Sequence, residues 1–223
     1  MNNNESSHSF RQEKITASQA RALLEEGNRR FVEGKMAAKD ISMTRRQELS
    51  QKGQKPFAAI LGCPDSRVPP EILFDQGLGD LFVIRTAGNI VDAINLGSLE
   101  YAAANLDVPL LVVLGHENCG AVKVALQEAK APDRTARLGA NLTAIVDKIQ
   151  PSLEKAIERI RAGEDKSSLL ECAVDENIKT VAEELVLRSP AIAGKVNRGE
   201  AEVLGAKYYF HSGAVVFFAG QDR

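Results

Sequence analysis

Apolar side chains recur every three or four positions in several segments of the chain, which is the spacing of an amphipathic helix. The longest such segments are residues 16–34, 94–106, 121–130, 138–162 and 168–188. Pro151 lies inside the fourth segment, and it predicts a kink or the start of a new helix because proline lacks a backbone N–H. Short helices are also predicted from the polar stretch 44–54 and from Pro69-Pro70, since proline favours the first turn.

Short, continuous apolar runs lie between these helical segments. The runs at 57–62, 80–85 and 110–114 are typical of strands buried on both faces. Their alternation with helices predicts a mainly parallel sheet with right-handed crossovers. Two further runs, 203–210 and 214–219, flank a short turn and predict an antiparallel hairpin.

The predicted fold class is therefore α/β. We expect a single domain with a mainly parallel central β-sheet flanked by helices, an antiparallel edge hairpin and an N-terminal helical arm. No linker, repeat or low-complexity block divides the sequence, so the domain is expected to span residues 1–223. Residues 1–12 are polar and predict a disordered tail.

Composition narrows the classes of partner. The 223 residues are 44% hydrophobic and 26% charged, with a formal net charge of −2, which argues against a nucleic-acid-binding protein. No apolar run approaches the roughly 18 residues of a membrane span. Three cysteines are too few for a disulfide framework, and the polar N-terminus has no signal-peptide pattern. We therefore expect a cytoplasmic protein without membrane or nucleic-acid partners.

Residues that could bind a metal or take part in catalysis follow two of the predicted strands. Cys63-x-Asp65-x-Arg67 follows the first strand, and His116-x-x-Cys119 follows the third. Because ligands bind at the carboxyl ends of parallel strands, we expect the two motifs to converge. Two thiolates and an imidazole suit one tetrahedral zinc ion per chain, with Asp65 as a possible fourth ligand. Because only three Cys or His ligands are near, the fourth position is expected to be exchangeable, which favours a catalytic site over a structural one.

Asp65 and Arg67 offer two states of that fourth position. An arginine fork matches a carboxylate in a bidentate pair, and pairing would keep Asp65 off the metal so that water could bind. If Asp65 ligates zinc instead, the site is closed. Both states remain open on the residues alone, and a plain turn-stabilising ion pair is the simpler alternative.

Together these motifs resemble the β-class carbonic anhydrases. The likeness rests first on Cys63-x-Asp-Ser-Arg67 and His116-x-x-Cys-Gly120. It extends over most of the chain, to Gly27-Asn28, Phe31, Gly79-Asp80-Leu-Phe82, Arg85, Gly88-Asn89, Ser98-Leu-Glu-Tyr101, Gly205, Tyr208 and Gly213.

The resemblance implies reversible hydration of carbon dioxide to bicarbonate and a proton, by attack of a zinc-bound hydroxide on CO₂. In that scheme Asp65 accepts a hydrogen bond from the hydroxide, and Arg67 holds Asp65 off the metal. The resemblance also implies a homodimer, homotetramer or larger even oligomer, in which the N-terminal helix wraps the partner. It assigns the substrate pocket to four residues, some of them contributed across the dimer interface: Gln54, Phe82, Tyr101 and Gly120.

Two positions depart from the family pattern. Glu117 stands where a small hydroxyl residue is common. Ile60 stands where a subset of the family has a tryptophan, which serves a non-catalytic bicarbonate pocket that closes the site. We therefore expect a site without that switch, with Asp65 off the metal at neutral pH.

Other functions and simpler roles also fit parts of the sequence. Relatives of this fold hydrolyse carbonyl sulfide or carbon disulfide, and a structural zinc protein without activity is a third alternative. Phe82 and Tyr101 could be core aromatics, and Cys172 lies on an apolar helix face typical of a core thiol. His8 is interpreted as a solvated tail residue. His211, at the hairpin turn, is interpreted as a structural or surface residue in preference to a proton shuttle. No glycine-rich nucleotide-binding motif follows a strand.

Overall fold

A mostly parallel sheet forms the centre of the protein, whose computed structural model describes residues 15–129, 138–165 and 167–218. Its strands within that part of the chain are β1 (Ala58–Gly62), β2 (Leu81–Arg85), β3 (Leu110–His116), β4 (Glu202–Tyr208) and β5 (Val215–Phe217). Their order across the sheet is β2-β1-β3-β4-β5, and β5 alone runs antiparallel to its neighbour. The predicted fold class, including the edge hairpin, is confirmed.

The helices lie on both faces of this sheet. They are α1 (Ala17–Val32), α2 (Met43–Lys52), α3 (Pro70–Leu73), α4 (Ala93–Asn105), α5 (Gly120–Glu128), α6 (Ala140–Arg161), α7 (Leu169–Arg188) and α8 (Pro190–Asn197), with a 3-10 turn at Ala87–Asn89. Within the described residues none of these helices is long and apolar enough to cross a bilayer. The predicted tail with His8, and the predicted ends of a helix at Lys130 and of the hairpin at Ala219, lie outside the described residues.

Two details of the helices differ from the sequence-based expectation. Helix α6 runs through Pro151 as one element, so the predicted start of a new helix there is wrong. Its buried face continues on both sides of the proline through Ile149 and Leu153, and burial of such side chains offsets the roughly 3 kcal/mol cost of an interior proline. Helix α8 was not predicted, because eight residues directly after α7 are too few to show a separate period.

Each face of the sheet has its own hydrophobic cluster. Alternate side chains of β1 and β3 point to opposite sides, so Leu61 and Val113 pack beneath helices α4 to α8. Ile60 and Val112 pack beneath α1 and α3 on the other side. Every residue of both strands is buried, which explains why these strands are uninterrupted apolar runs.

Helix α1 is fixed to the rest of the chain at Gly27 and Asn28. A Cβ atom on Gly27 would lie 1.8 Å from the carbonyl oxygen of Phe74, so the helix approaches α3 as closely as a glycine allows. Asn28 donates from Nδ2 to the carbonyl oxygens of Leu73 and Gly213, both at 3.0 Å, and accepts from the backbone N–H of Val215 at 2.8 Å. The predicted N-terminal arm therefore packs on its own sheet and hairpin.

This close approach predicts opposite effects for two glycine substitutions. Gly27→Ala should lower the free energy of unfolding by about 1–3 kcal/mol, because the new methyl group meets backbone. Gly194→Ala in α8 should leave it unchanged or raise it by up to about 1 kcal/mol, since that methyl group would meet the flexible end of Arg198 at 3.3 Å. Urea unfolding of both variants measures the contrast, and equal losses would contradict the packing argument.

Candidate metal centre

Three potential metal ligands meet at the carboxyl edge of the sheet. Cys63 directly follows β1, His116 is the last residue of β3, and Cys119 precedes α5 as its N-cap. Because β1 and β3 are parallel neighbours, with Gly62 paired to Leu114, their ends lie side by side. The Sγ and imidazole nitrogen atoms lie within 4.8 Å of one another, and all three residues are buried.

The imidazole of His116 is oriented as a metal ligand would be. Its Nδ1 lies 2.9 Å from the carbonyl oxygen of Glu117, so Nδ1 carries the proton and Nε2 presents a lone pair. Nε2 is buried and has no hydrogen-bond partner among the described residues, an arrangement that is costly for a polar atom. A cation bound to Nε2 and the two sulfur atoms would satisfy it, and this soft donor set fits zinc.

The two thiols share one negative charge. The hydrogen bond with Cys119, and to a lesser extent the neighbouring imidazole of His116, lowers the pKa of Cys63 to about 4. The same hydrogen bond, and then burial, raises the pKa of Cys119. A divalent cation supplies the charge that a second thiolate needs, so the pair is suited to metal binding.

Asp65 and Arg67 form a bidentate ion pair beside the three donors. The Asp65 Oδ1 accepts from the backbone N–H and Nε of Arg67, both at 3.0 Å, and Oδ2 accepts from Nη2 at 2.8 Å. The hydrogen bond from Arg67 holds the pKa of Asp65 at about 2. Oδ2 lies 3.9 Å from Nε2 of His116, so this paired, ionised carboxylate borders the donor group.

Arg85 fixes the segment between Cys63 and Asp65 from the neighbouring strand. It ends β2 and donates from Nε to the Cys63 carbonyl oxygen at 3.1 Å and from Nη2 to the Asp65 carbonyl oxygen at 2.7 Å. From the sequence, Arg85 belongs to the family resemblance but has no assigned role. Its position at a strand end was the signal that could have suggested one.

Phe210 and Glu117 bring the β4–β5 turn to the site. The Phe210 ring lies under the guanidinium of Arg67, with 4.1 Å between the ring centroid and Cζ. The Glu117 Oε1 accepts from the backbone N–H of Phe210 at 2.8 Å. Phe210 is not evident as a site residue from the sequence, because no local pattern links an aromatic residue in a turn to an arginine so distant in the chain.

The residues predicted for the substrate pocket are spread over three elements and a loop. Phe82 on β2 and Tyr101 on α4 have ring centroids 6.1 Å apart, and Tyr101 is 48% exposed. Gly120 is the exposed first residue of α5, and Gln54 is exposed between α2 and β1. The structure thus brings Phe82 and Tyr101 together, and the pocket role of all four remains a prediction.

Cys172 and His211 lie where a core thiol and a surface residue of the hairpin turn are expected. Cys172 is fully buried on α7, with its Sγ 3.8 Å from the carbonyl oxygen of Ala156. His211 is exposed in the turn after β4.

The site combines a buried Cys–His–Cys group with an Asp–Arg pair at the carboxyl edge of a mostly parallel sheet. This combination is typical of an enzyme that uses a bound metal ion. A sequence profile described as carbonic anhydrase matches residues 58–215. Carbonic anhydrase of Mycolicibacterium smegmatis is 41% identical over 195 residues, covering 86% of this chain and 88% of that protein. Carbonic anhydrase 2 of Mycobacterium tuberculosis is 41% identical over 193 residues, with the same two coverages.

Solved structures place the fold within one class of this family. The β-carbonic anhydrase CcaA superposes with a TM-score of 0.68 at 28% identity, covering 91% of this chain and 96% of that chain. A tetrameric β-carbonic anhydrase from Sordaria macrospora gives a TM-score of 0.66 at 25% identity, covering 79% and 89%. The chain belongs to the carbonic anhydrase family, in its β class, and it is an enzyme of that family, as the resemblance indicated.

The donor geometry predicts that zinc content depends on two of the three cysteines. Cys63→Ala and Cys119→Ala should each lose most of the zinc from purified protein, because a soft tetrahedral site loses one of its few strong ligands. Cys172→Ala is the matched control, since it removes an equally buried thiol from the core, and it should keep about one zinc per chain. Elemental analysis of the folded proteins measures this, and zinc retained in Cys63→Ala would contradict the assignment.

Proposed function

We propose that this chain catalyses the reversible hydration of CO₂ to bicarbonate and a proton, with one zinc ion held by Cys63, His116 and Cys119. The observation that carries the proposal is the bidentate Asp65–Arg67 pair, which borders the three-donor group without belonging to it. A purely structural zinc site would have no need of such a pair. The names of the relatives from Mycolicibacterium and Mycobacterium agree with this activity.

The chemistry divides between the metal and the side chains around it. Zinc, when bound, supplies a Lewis acid that brings the pKa of a water molecule toward neutral. Asp65, ionised at neutral pH, accepts a hydrogen bond from the reacting water and so orients its lone pair toward the carbon of CO₂. Arg67 occupies both carboxylate oxygens of Asp65 and so keeps that carboxylate from acting as a fourth ligand.

The substrate pocket is expected to be mainly apolar, because CO₂ is small, linear and uncharged. Phe82 and Tyr101, which contact each other, provide such a surface on β2 and α4. We assign the CO₂ pocket to these two aromatics together with Gln54 and Gly120. Completion of the pocket by a second copy of the chain fits the exposure of Gln54 and Tyr101.

The site is proposed to be open at neutral pH. Ile60, which replaces the tryptophan of the bicarbonate-regulated subset, is fully buried in β1 and faces the cluster under α1. The Asp65 carboxylate is turned to Arg67, and this is the arrangement that leaves the fourth position available.

An even oligomer in a reducing, cytoplasmic compartment is part of the same proposal. Ile94 and Tyr101 are 78% and 48% exposed on α4, seven positions apart and therefore on one face of the helix. A tetrameric relative from Sordaria macrospora supports an even number of subunits. The three cysteines are free, which is the state that a reducing compartment maintains.

Stopped-flow CO₂ hydration, with zinc determined on the same sample, tests the proposed function. We expect fast turnover at about pH 7–8 with about one zinc per chain, because the pKa of zinc-activated water lies near neutral. Zinc-loaded protein that is inactive from about pH 6.5 to 9 would contradict the proposal. Release of hydrogen sulfide from carbonyl sulfide by that protein would then identify the alternative hydrolase, and inactivity on both would indicate a structural zinc site.

Asp65→Asn should separate metal binding from turnover. The amide donates as well as accepts, so it cannot orient the reacting water as the carboxylate does, and kcat should fall by about 100-fold or more while zinc content stays unchanged. Asp92→Asn is the matched control, because asparagine caps α4 as well as aspartate does, and its kcat should equal that of the unaltered enzyme. Full activity of Asp65→Asn would refute the role of Asp65.

A further inference from the structure

We propose that Phe210 is a positioning residue that holds the Arg67 guanidinium in place for Asp65, and that Glu117 fixes Phe210. This inference rests on the proposed CO₂ hydration. It concerns two residues that the family resemblance leaves without a role, one in the turn after β4 and one that departs from the family pattern. Neither contacts the substrate in this scheme, and both act through Arg67.

Phe210 touches the site on two sides. Its ring centroid lies 4.1 Å from Cζ of Arg67 and 5.5 Å from the centroid of the His116 ring, which it meets at 66°. Tyr208 contacts it from within β4 at 5.2 Å and 82°. One half-buried aromatic therefore rests against a proposed zinc ligand and supports the arginine that engages Asp65.

Arg67 needs such support because its side chain is 59% exposed. An ion pair at that exposure is weak, since water competes for both partners and a long side chain must be held in one rotamer. The guanidinium donates to Asp65 through Nε and Nη2 while its central carbon lies over the Phe210 ring, so both contacts are made at once. The ring thus restricts Arg67 to positions from which it reaches the carboxylate.

Glu117 determines where the ring sits. Its side-chain Oε1 accepts from the Phe210 N–H at 2.8 Å, and its backbone N–H donates to the carbonyl oxygen of Tyr208 at 3.0 Å. Its own carbonyl oxygen contacts Nδ1 of His116 at 2.9 Å. One residue therefore fixes both the imidazole and the turn that carries Phe210. A small hydroxyl side chain, two carbons shorter, lacks the reach that this contact uses.

The test compares Phe210→Leu with Phe210→Tyr in the zinc-loaded enzyme. Leucine keeps the apolar volume but not the π face, so kcat should fall about three- to tenfold with KM and zinc content unchanged. Tyrosine keeps the ring and should restore kcat. Glu117→Ala should resemble Phe210→Leu, whereas Glu117→Gln, which keeps a side-chain oxygen acceptor, should retain most of the activity.

A second readout does not depend on turnover. In ¹⁵N-arginine-labelled protein, the Arg67 Nε–H resonance, assigned with Arg67→Lys, should be shifted upfield by the ring current of Phe210. Phe210→Leu should abolish that shift, and Phe210→Tyr should keep it.

Phe218→Leu is the matched control, because Phe218 follows β5 in the same hairpin and faces a different cation, with Lys179 Nζ 5.9 Å from its ring centroid. It should leave kcat and the Arg67 resonance unchanged. An active enzyme in which Phe210→Leu changes neither quantity, or in which both leucine variants lose activity equally, overturns this inference alone. A zinc-loaded unaltered enzyme that does not hydrate CO₂ overturns the proposed function instead.

Discussion

The parallel pairing of β1 with β3 is the constraint on which the site depends. It places Cys63 and His116 at the same edge of the sheet, although 53 positions separate them in the sequence. Both strands are buried on both faces, so a slip in their register would disturb two hydrophobic clusters at once. The energy that fixes the donor group is therefore that of the core, and the ligands themselves need supply little of it.

Several groups that bind cations lie together at the edge of the sheet, and two arginines determine the position of one of them, Asp65. The sulfur atoms of two cysteines, a carboxylate and an imidazole are crowded together, and a divalent cation would attract all of them. Arg67 offers Asp65 a competing positive partner in bidentate geometry, while Arg85 holds the backbone on which Asp65 is mounted. In the proposed function, this single arginine pairing separates a site with an exchangeable position from a closed structural site.

Local sequence was sufficient for the framework and for the donor residues. Strand runs, strand-end motifs and helical periods all depend on near neighbours, so the sheet, the edge hairpin and the Cys63, His116 and Cys119 group could be predicted. Helix α8 is too short to show a period, and the continuity of α6 through Pro151 depends on packing that only the folded chain reveals. The support of Arg67 by Phe210 is a tertiary contact between distant segments, which a single sequence does not encode locally.

The position of Glu117 shows why a departure from a family pattern is better interpreted through its contacts than as a loss. Glu117 lies between His116 and Cys119 in the chain, so its backbone cannot move without moving both proposed ligands. The backbone N–H of Asn118 is itself held by Glu171 at 2.9 Å, and Glu171 pairs with the buried Lys207 of β4. The loop is therefore anchored to α7 and to β4 independently of the Glu117 side chain. The Glu117 carboxylate is therefore available to accept the hydrogen bond from Phe210 in the β4–β5 turn. Because the Phe210 ring contacts Arg67, the geometry of this turn is coupled to the exposed arginine at the site.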